Sequence, residues 1–190
     1  MQKTLENLTK AFVGESQARN RYAFYAKVAK KEGFEQIAEI FMATAEQEKT
    51  HAKRLFEHIQ ELRGEAEEVI IETSAPTVYG NTATNLKAAI AGETHEYTEM
   101  YPEFAKTARD EDLAKIGARL EAIAKAEEHH AERYIKLLKE VEGKTVFKKE
   151  KEVVWICREC GYVHVGQEPP QVCPACDHAS AYYELKNEEY

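Results

Sequence analysis

The chain has 190 residues, 43% of them hydrophobic and 32% charged, which suits one mid-sized helical domain or a larger domain with a very small companion. A formal net charge of −8 without any cluster of lysine and arginine argues against a nucleic-acid partner, and no apolar run approaches a membrane span. Met1 is not followed by the basic, apolar and small-residue order of a secretion signal, and all four cysteines fall within the last 34 residues in pairs suited to metal, so a reducing cytoplasm is the expected location.

Apolar residues recurring at steps of three and four predict a first helix over about 4–31, stopping at Gly33 with Lys30 and Lys31 in its last turn, where the helix dipole favours cations. Its inward stripe reads Leu5, Leu8, Phe12, Glu15, Arg19, Tyr22, Ala26 and Ala29. A second helix runs to about residue 63, before Gly64, with the stripe Ile37, Phe41, Thr44, Glu48, His51, Leu55, Ile59 and Leu62. The short join makes these two helices antiparallel neighbours. Residues 64–82 include Pro76 and Gly80 and are long enough to cross back along a bundle, so the second and third helices should run parallel. The third, over about 83–108, presents Leu86, Ala89, Glu93, Glu96, Met100 and Phe104. The fourth, over about 112–141, begins at the acidic Asp110, Glu111 and Asp112 and presents Leu113, Ile116, Leu120, Ile123, Glu127, His130, Tyr134, Leu137 and Val141.

Two Glu-x-x-His units, Glu48/His51 and Glu127/His130, lie within these apolar stripes, and each has a lone upstream partner, Glu15 or Glu93. Residues three apart share one helical face, so each unit can chelate from a single turn. One such pair alone is usually a solvated surface pair. Two pairs, each in register with apolar residues above and below, would be buried, and a buried carboxylate costs several kcal/mol unless it is paired or bound to metal. The pattern predicts a dinuclear metal site inside a helical bundle, and mixed carboxylate and imidazole ligands suit iron or manganese. A shift of 79 aligns Ala45, Glu48, His51, Ala52 and Arg54 with Ala124, Glu127, His130, Ala131 and Arg133, and a shift of 78 aligns Gly14-Glu15 with Gly92-Glu93, which suggests a duplicated, pseudo-two-fold site. Glu96 adds a fifth carboxylate, and the hydroxyls of Tyr22 and Tyr101 would find a ligand carboxylate as partner. The remaining histidines lack a partner at matching spacing, and most should lie at the surface.

After Gly143 the pattern changes to β-branched and aromatic residues around Cys157-x-x-Cys160-Gly161 and Cys173-Pro-x-Cys176, which divides the chain into a bundle over 1–145 and a small metal-stapled domain over 152–190. Four thiolates with two-residue gaps hold one metal. On spacing alone zinc is the commoner occupant, and an iron-tetrathiolate site shares the spacing. With all four thiols committed, none remains for thiol peroxidase chemistry.

The segments Gly14-Glu-Ser-Gln-Ala-Arg-Asn-Arg-Tyr22, Glu48-Lys-Thr-His51, Gly92-Glu-Thr-His-Glu-Tyr-Thr-Glu-Met-Tyr101, Glu127-Glu-His-His130 and the two cysteine pairs together resemble the rubrerythrin family over essentially the whole chain. The resemblance implies a mostly α fold: a ferritin-like four-helix bundle with a small C-terminal rubredoxin-like domain of strands and knuckles. It implies a non-haem di-iron centre in the bundle and one iron on Cys157, Cys160, Cys173 and Cys176. By the same resemblance Glu48 and Glu127 bridge the irons, Glu93 and His130 complete one, and Glu15 belongs to the other, which exchanges Glu96 for His51 on reduction. The implied activity is reduction of hydrogen peroxide to water, with electrons from an external NAD(P)H-dependent reductase or a rubredoxin, in a homodimer or larger assembly. A ferroxidase or iron-storage protein and a zinc-holding binding module are the competing readings.

Overall fold

The computed structural model describes residues 2–188. The helical period is realised as α1 (Gln2–Lys31), α2 (Glu35–Leu62), α3 (Thr82–His95), α4 (Tyr101–Asp110) and α5 (Ala114–Gly143), with one π-helical turn, Glu96–Met100, joining α3 and α4 into a continuous rod. At Gly33 the chain takes a φ of 83°, in the left-handed region that glycine enters without strain, and reverses from α1 into α2. Asn81 caps α3, its side chain accepting the Thr84 N–H at 2.9 Å.

Two apolar layers hold the rods together. One gathers Ala26 and Ala29 near the end of α1, Ile37 and Phe41 near the start of α2, Leu86 and Ala89 from α3 and Tyr134 from late α5. The other gathers Leu8 from early α1, Leu55 and Ile59 from late α2, Ala105 and Ala108 from α4 and Ile116 and Leu120 from early α5. These memberships fix the directions of the rods. α1 and α2 are antiparallel, α2 and α3 run parallel, and residues 63–81 cross back along the bundle, as the length of that connection suggests. Between the layers lie Glu15, Glu48, Glu93, Glu127 and His130, all buried.

The inward stripes differ from expectation at two places. In α1 the small Ala18, not Arg19, lies inside, and the Arg19 guanidinium reaches outward to 3.7 Å from Glu46. In the α3–α4 rod the buried set after Glu93 is Tyr101, Ala105 and Ala108, not Met100 and Phe104. The cause is the π turn, where the Tyr101 N–H donates to the Glu96 carbonyl five residues back. One extra residue in the turn moves every later position of the stripe on by one. A pattern written for 3.6 residues per turn cannot register that insertion.

In the tail, β1 (Val153–Cys157) is the centre of an antiparallel sheet ordered β2-β1-β3, with β2 (Val163–Gly166) and β3 (Tyr183–Leu185) at its edges. Trp155, Cys157, Cys173 and Tyr183 form its small core. The tail rests against the α1–α2 end of the bundle: Phe147 stacks on Phe34, ring centroids 6.3 Å apart, and Arg158 pairs with Glu39 of α2 and with Glu184.

A π turn is one surplus residue in an otherwise α-helical rod. Deleting the exposed Thr98 should therefore relieve the turn, keep Tyr101 and Ala105 inside, and change unfolding free energy by no more than about 1 kcal/mol. Deleting the equally exposed Arg119 from uninterrupted α5 would rotate Glu127 and His130 by about 100° relative to Ile116. That deletion should cost at least about 3 kcal/mol in denaturant unfolding. Equal losses for the two deletions would refute the account of the rod.

Candidate metal centres

Each of the four rods delivers one carboxylate to the middle of the bundle, and α2 and α5 each add an imidazole one turn further on. His51 Nδ1 lies 3.1 Å from Glu48 Oε2, 2.9 Å from Glu127 Oε1 and 3.8 Å from Glu15 Oε1. His130 Nδ1 lies 2.7 Å from Glu127 Oε2, 3.1 Å from Glu48 Oε1 and 3.6 Å from Glu93 Oε2. Glu48 and Glu127 thus turn one oxygen toward each imidazole. Two groups of potential ligands result, Glu15/Glu48/His51/Glu127 and Glu48/Glu93/Glu127/His130, each with its donor atoms within 4.8 Å of one another.

Among these approaches only His51 Nδ1 to Glu48 Oε2 has hydrogen-bond geometry. Glu15 Oε2, Glu48 Oε1, Glu93 Oε2, both Glu127 oxygens and His130 Nδ1 are buried without a hydrogen-bond partner in acceptable geometry. Lone pairs that outnumber the donors between them are costly in an apolar interior, and two cations among them would satisfy the surplus. Four carboxylates also balance the charge of two divalent ions. The residues present fit a dinuclear centre.

The surroundings orient these groups. The Tyr22 hydroxyl on α1 donates to Glu93 Oε1 on α3, and the Tyr101 hydroxyl on α4 donates to Glu15 Oε1 on α1. Tyr22 and Tyr101 are themselves related by the 79-residue shift, so each half's tyrosine supports the other half's glutamate. His130 Nε2 lies 3.0 Å from Gln47 Oε1, and donation of its N–H to that amide leaves the Nδ1 lone pair facing the cluster. Gln47 escaped the sequence reading because no spacing rule pairs a residue of α2 with one of α5.

Protonation reflects the burial. Desolvation, reinforced by neighbouring carboxylates, pushes Glu15 well above the usual carboxylate range, and Glu93 up to about 8 despite its contact with His130. Burial pushes Glu48 up as well, but His130 and His51 overcome it and hold the carboxyl down at about 2. Burial disfavours charge on the imidazoles, yet the facing carboxylates raise His51 to about 9 and His130 to about 12. Tyr22 and Tyr101 are raised well above the usual phenol value, first by burial and then by the glutamates they touch.

Glu96, expected as a fifth carboxylate that one metal exchanges for His51, begins the π turn three residues after Glu93. It belongs to neither ligand group, is half-buried in the π turn, and lines a cavity of about 310 Å³ between α1 and the α3–α4 rod. Burial, then Glu93, Glu127 and Glu48, holds its carboxyl well up. Gly14 and Gly92 line the same cavity. Each sits inside a helix, where glycine costs about 0.5–1 kcal/mol relative to alanine. Among the remaining histidines, His95 and His129 are exposed, but His58 is buried, its Nδ1 3.0 Å from Glu61 Oε2 and apart from the cluster.

In the tail, Cys157 Sγ lies 3.7 Å from Cys176 Sγ, and Cys160 Sγ lies 3.6 Å from Cys173 Sγ. A tetrahedron of sulfurs around a metal at about 2.3 Å has edges of about 3.8 Å, so the four thiols fit a single ion. Two matching knuckles build it. The Gly161 N–H donates to the Cys157 carbonyl at 2.8 Å and the Asp177 N–H to the Cys173 carbonyl at 3.0 Å, with both following residues at positive φ, 77° and 59°.

A ferritin-like bundle with paired Glu-x-x-His units, followed by a four-cysteine knuckle domain, defines a class of two-centre metalloprotein. The family model described as Rubrerythrin matches residues 6–138, and that for the rubredoxin-like domain of rubrerythrin matches residues 155–184. Rubrerythrin-1 of Clostridium acetobutylicum is 51% identical, over 99% of this chain and 96% of its own length. Rubrerythrin of Porphyromonas gingivalis is 50% identical, over 99% of this chain and 92% of its own. A solved structure of nigerythrin in a partially reduced state superposes with a TM-score of 0.65 at 31% identity, over 96% of this chain and 86% of that one. The chain belongs to the rubrerythrin family, whose members hold a glutamate/histidine di-iron site in the bundle and a four-cysteine site in the rubredoxin-like domain. No helix among the described residues is long and apolar enough to cross a membrane.

Because Glu93 near 8 and His51 near 9 keep their protons at neutral pH without metal, cations entering the bundle must displace them. Ferrous loading of the metal-free bundle at pH 7 should release at least about two protons per chain, and apparent affinity should rise as pH rises toward 8. Calorimetry in buffers of different ionisation enthalpy measures this directly, and a buffer-independent heat would contradict it.

Proposed function

We propose that this chain is a peroxide reductase: hydrogen peroxide, two electrons and two protons become two waters as the O–O bond breaks. The observation that carries the reading is the sharing of Glu48 and Glu127 between two buried ligand groups, in a chain that also carries a four-cysteine site. The iron pair, when bound, supplies Lewis acidity and two electrons. Glu48 and Glu127 would serve both metal positions, Glu93 with His130 would hold one, and Glu15 would hold the other together with His51 or Glu96. The placement of His51 inside its group and Glu96 outside supports the arrangement expected of the reduced pair.

The protein's own groups manage protons and water. Tyr22 and Tyr101 keep their protons under burial and hold them at Glu93 Oε1 and Glu15 Oε1, ready for transfer through those carboxylates. The apolar layers around the site keep bulk water away, which strengthens each of these interactions. Cys157, Cys160, Cys173 and Cys176 hold the iron that refills the pair one electron at a time. The electrons come from an external NAD(P)H-dependent reductase or a rubredoxin. The chain is divided into a bundle over 1–145 and a relay domain over 152–190, assembles as a homodimer or larger, and protects the cytoplasm against peroxide.

Anaerobic stopped-flow mixing of the fully reduced, iron-loaded protein tests this, with peroxide and oxygen in parallel. Oxidation of both centres by peroxide well ahead of oxygen is expected, and preference for oxygen would favour a ferroxidase instead. Cys160→Ser should abolish NAD(P)H-driven turnover yet leave chemically reduced bundle iron reactive with peroxide; normal turnover would remove the relay role. Glu127→Ala takes an oxygen from both ligand groups and should reduce bundle iron from about two per chain to one or none, with the tail's iron retained. Unchanged iron content would refute the ligand assignment.

A further inference from the structure

We propose that the cavity between α1 and the α3–α4 rod is the passage by which peroxide reaches the buried centre, held open by the paired glycines Gly14 and Gly92. The inference rests on the peroxide-reductase reading and assigns that site its access route.

The cavity's position is the first support. Gly14 and Gly92 directly precede Glu15 and Glu93 in the chain, and Glu96 forms part of the wall, so the cavity lies against the two helical segments that carry those ligands. Segment 73–76 of the crossover contributes the exposed Thr73 and Ser74 to its rim.

The glycines are the second. A Cβ built on either one meets nothing within 4 Å, and neither has the positive φ that would call for glycine. Packing and backbone geometry therefore give no reason to forgo alanine at two places inside helices. Empty space beside them does. The duplication that relates Gly14 to Gly92 brings both to the same cavity, so the sequence keeps this one channel clear from two sides.

Wall chemistry gives the third. Gln17, Arg21 and Ser74 offer hydrogen bonds to a small neutral hydroxylic molecule. The Arg21 Nε is buried without a hydrogen-bond partner, which leaves a donor in the wall uncommitted. Opposite stand Met100 and Phe104, the two apolar residues that the π turn rotates out of the core stripe. The insertion beyond Glu96 thus leaves two apolar side chains on the wall. At about 310 Å³ the space greatly exceeds the roughly 30 Å³ share of one water, so peroxide can pass with part of its hydration. The Met100 and Phe104 side chains limit the passage against bulky hydroperoxides.

The test is the second-order rate at which fully reduced, iron-loaded full-length protein is oxidised by hydrogen peroxide and by tert-butyl hydroperoxide. Gly14→Leu and Gly92→Leu should each slow oxidation by peroxide at least about tenfold, with iron content and the tail's reduction by its donor unchanged. Gly14→Ala and Gly92→Ala should slow it less while raising the melting temperature, an opposition of sign that a merely structural glycine would not produce. Phe104→Ala should raise the rate with tert-butyl hydroperoxide relative to peroxide by a factor of about three or more. If the leucine variants lose iron or fold, the alanine pair and Ser74→Trp on the exposed crossover decide, and Ser74→Trp should slow peroxide at least about threefold. Folded, iron-replete variants that react at the wild-type rate would overturn the passage and leave the peroxide reading standing. Wild-type protein that peroxide does not oxidise would overturn both.

Discussion

Four carboxylates and two imidazoles, closed between apolar layers, form the constraint on which the bundle depends. Removing even one ionised carboxylate from water costs several kcal/mol without compensation, and here four face one another. Without metal, the cluster is tolerable only because protons redistribute: Glu15 and Glu93 rise, both imidazoles hold charge, and Glu48 is held low. Two divalent cations replace that arrangement of shared protons. Helix geometry, apolar layers and tyrosine donors all serve to bring four rods to one level, so that each contributes a single carboxylate.

The symmetry of the arrangement has a physical reading. Each tyrosine reaches across to the other half's glutamate, so neither half of the duplicated pattern satisfies its own polar groups alone. The two helical hairpins are thereby interlocked at the site, by directional bonds that apolar packing does not supply. Gln47 adds a further cross-helix contact by fixing the imidazole of His130. That contact breaks the symmetry, since the position matching Gln47 is Ala126, and the π turn breaks it again. The turn lies in one rod only, its shift falls beyond Glu96, and it puts Tyr101 in the core where the unbroken period would put Met100. A duplicated site with such asymmetric elements can hold two metals in unequal surroundings.

The tail solves a different problem. A sheet of three short strands cannot bury a large core, and Trp155 and Tyr183 supply most of what there is. Four cysteines on two knuckles staple it through one ion. Its docking through Phe34–Phe147 and Arg158–Glu39 joins it to the bundle by small contacts.

Much of this protein is determined by sequence alone because the physics involved is local. A helical period carries each Glu-x-x-His unit to one face, apolar neighbours above and below declare that face buried, and the Cys-x-x-Cys spacing sets knuckle geometry within a single turn. The two ligand groups, the crossover that makes α2 and α3 parallel and the four-sulfur cluster were all legible in this way. What only the tertiary structure decided lies between helices or in a backbone alternative invisible to hydrophobic period. The crossing of Tyr22 to Glu93 and Tyr101 to Glu15, the hold of Gln47 on His130 and the burial of His58 depend on which rods are neighbours and at what height. The exchange of Arg19 for Ala18, and of Met100 and Phe104 for Tyr101 and Ala105, depends on close packing and on one i→i+5 hydrogen bond. That bond acts only on positions beyond Glu96, whose own N–H still bonds back to Gly92 and Glu93, and a single inserted residue rotates everything after it without leaving a mark in composition or spacing.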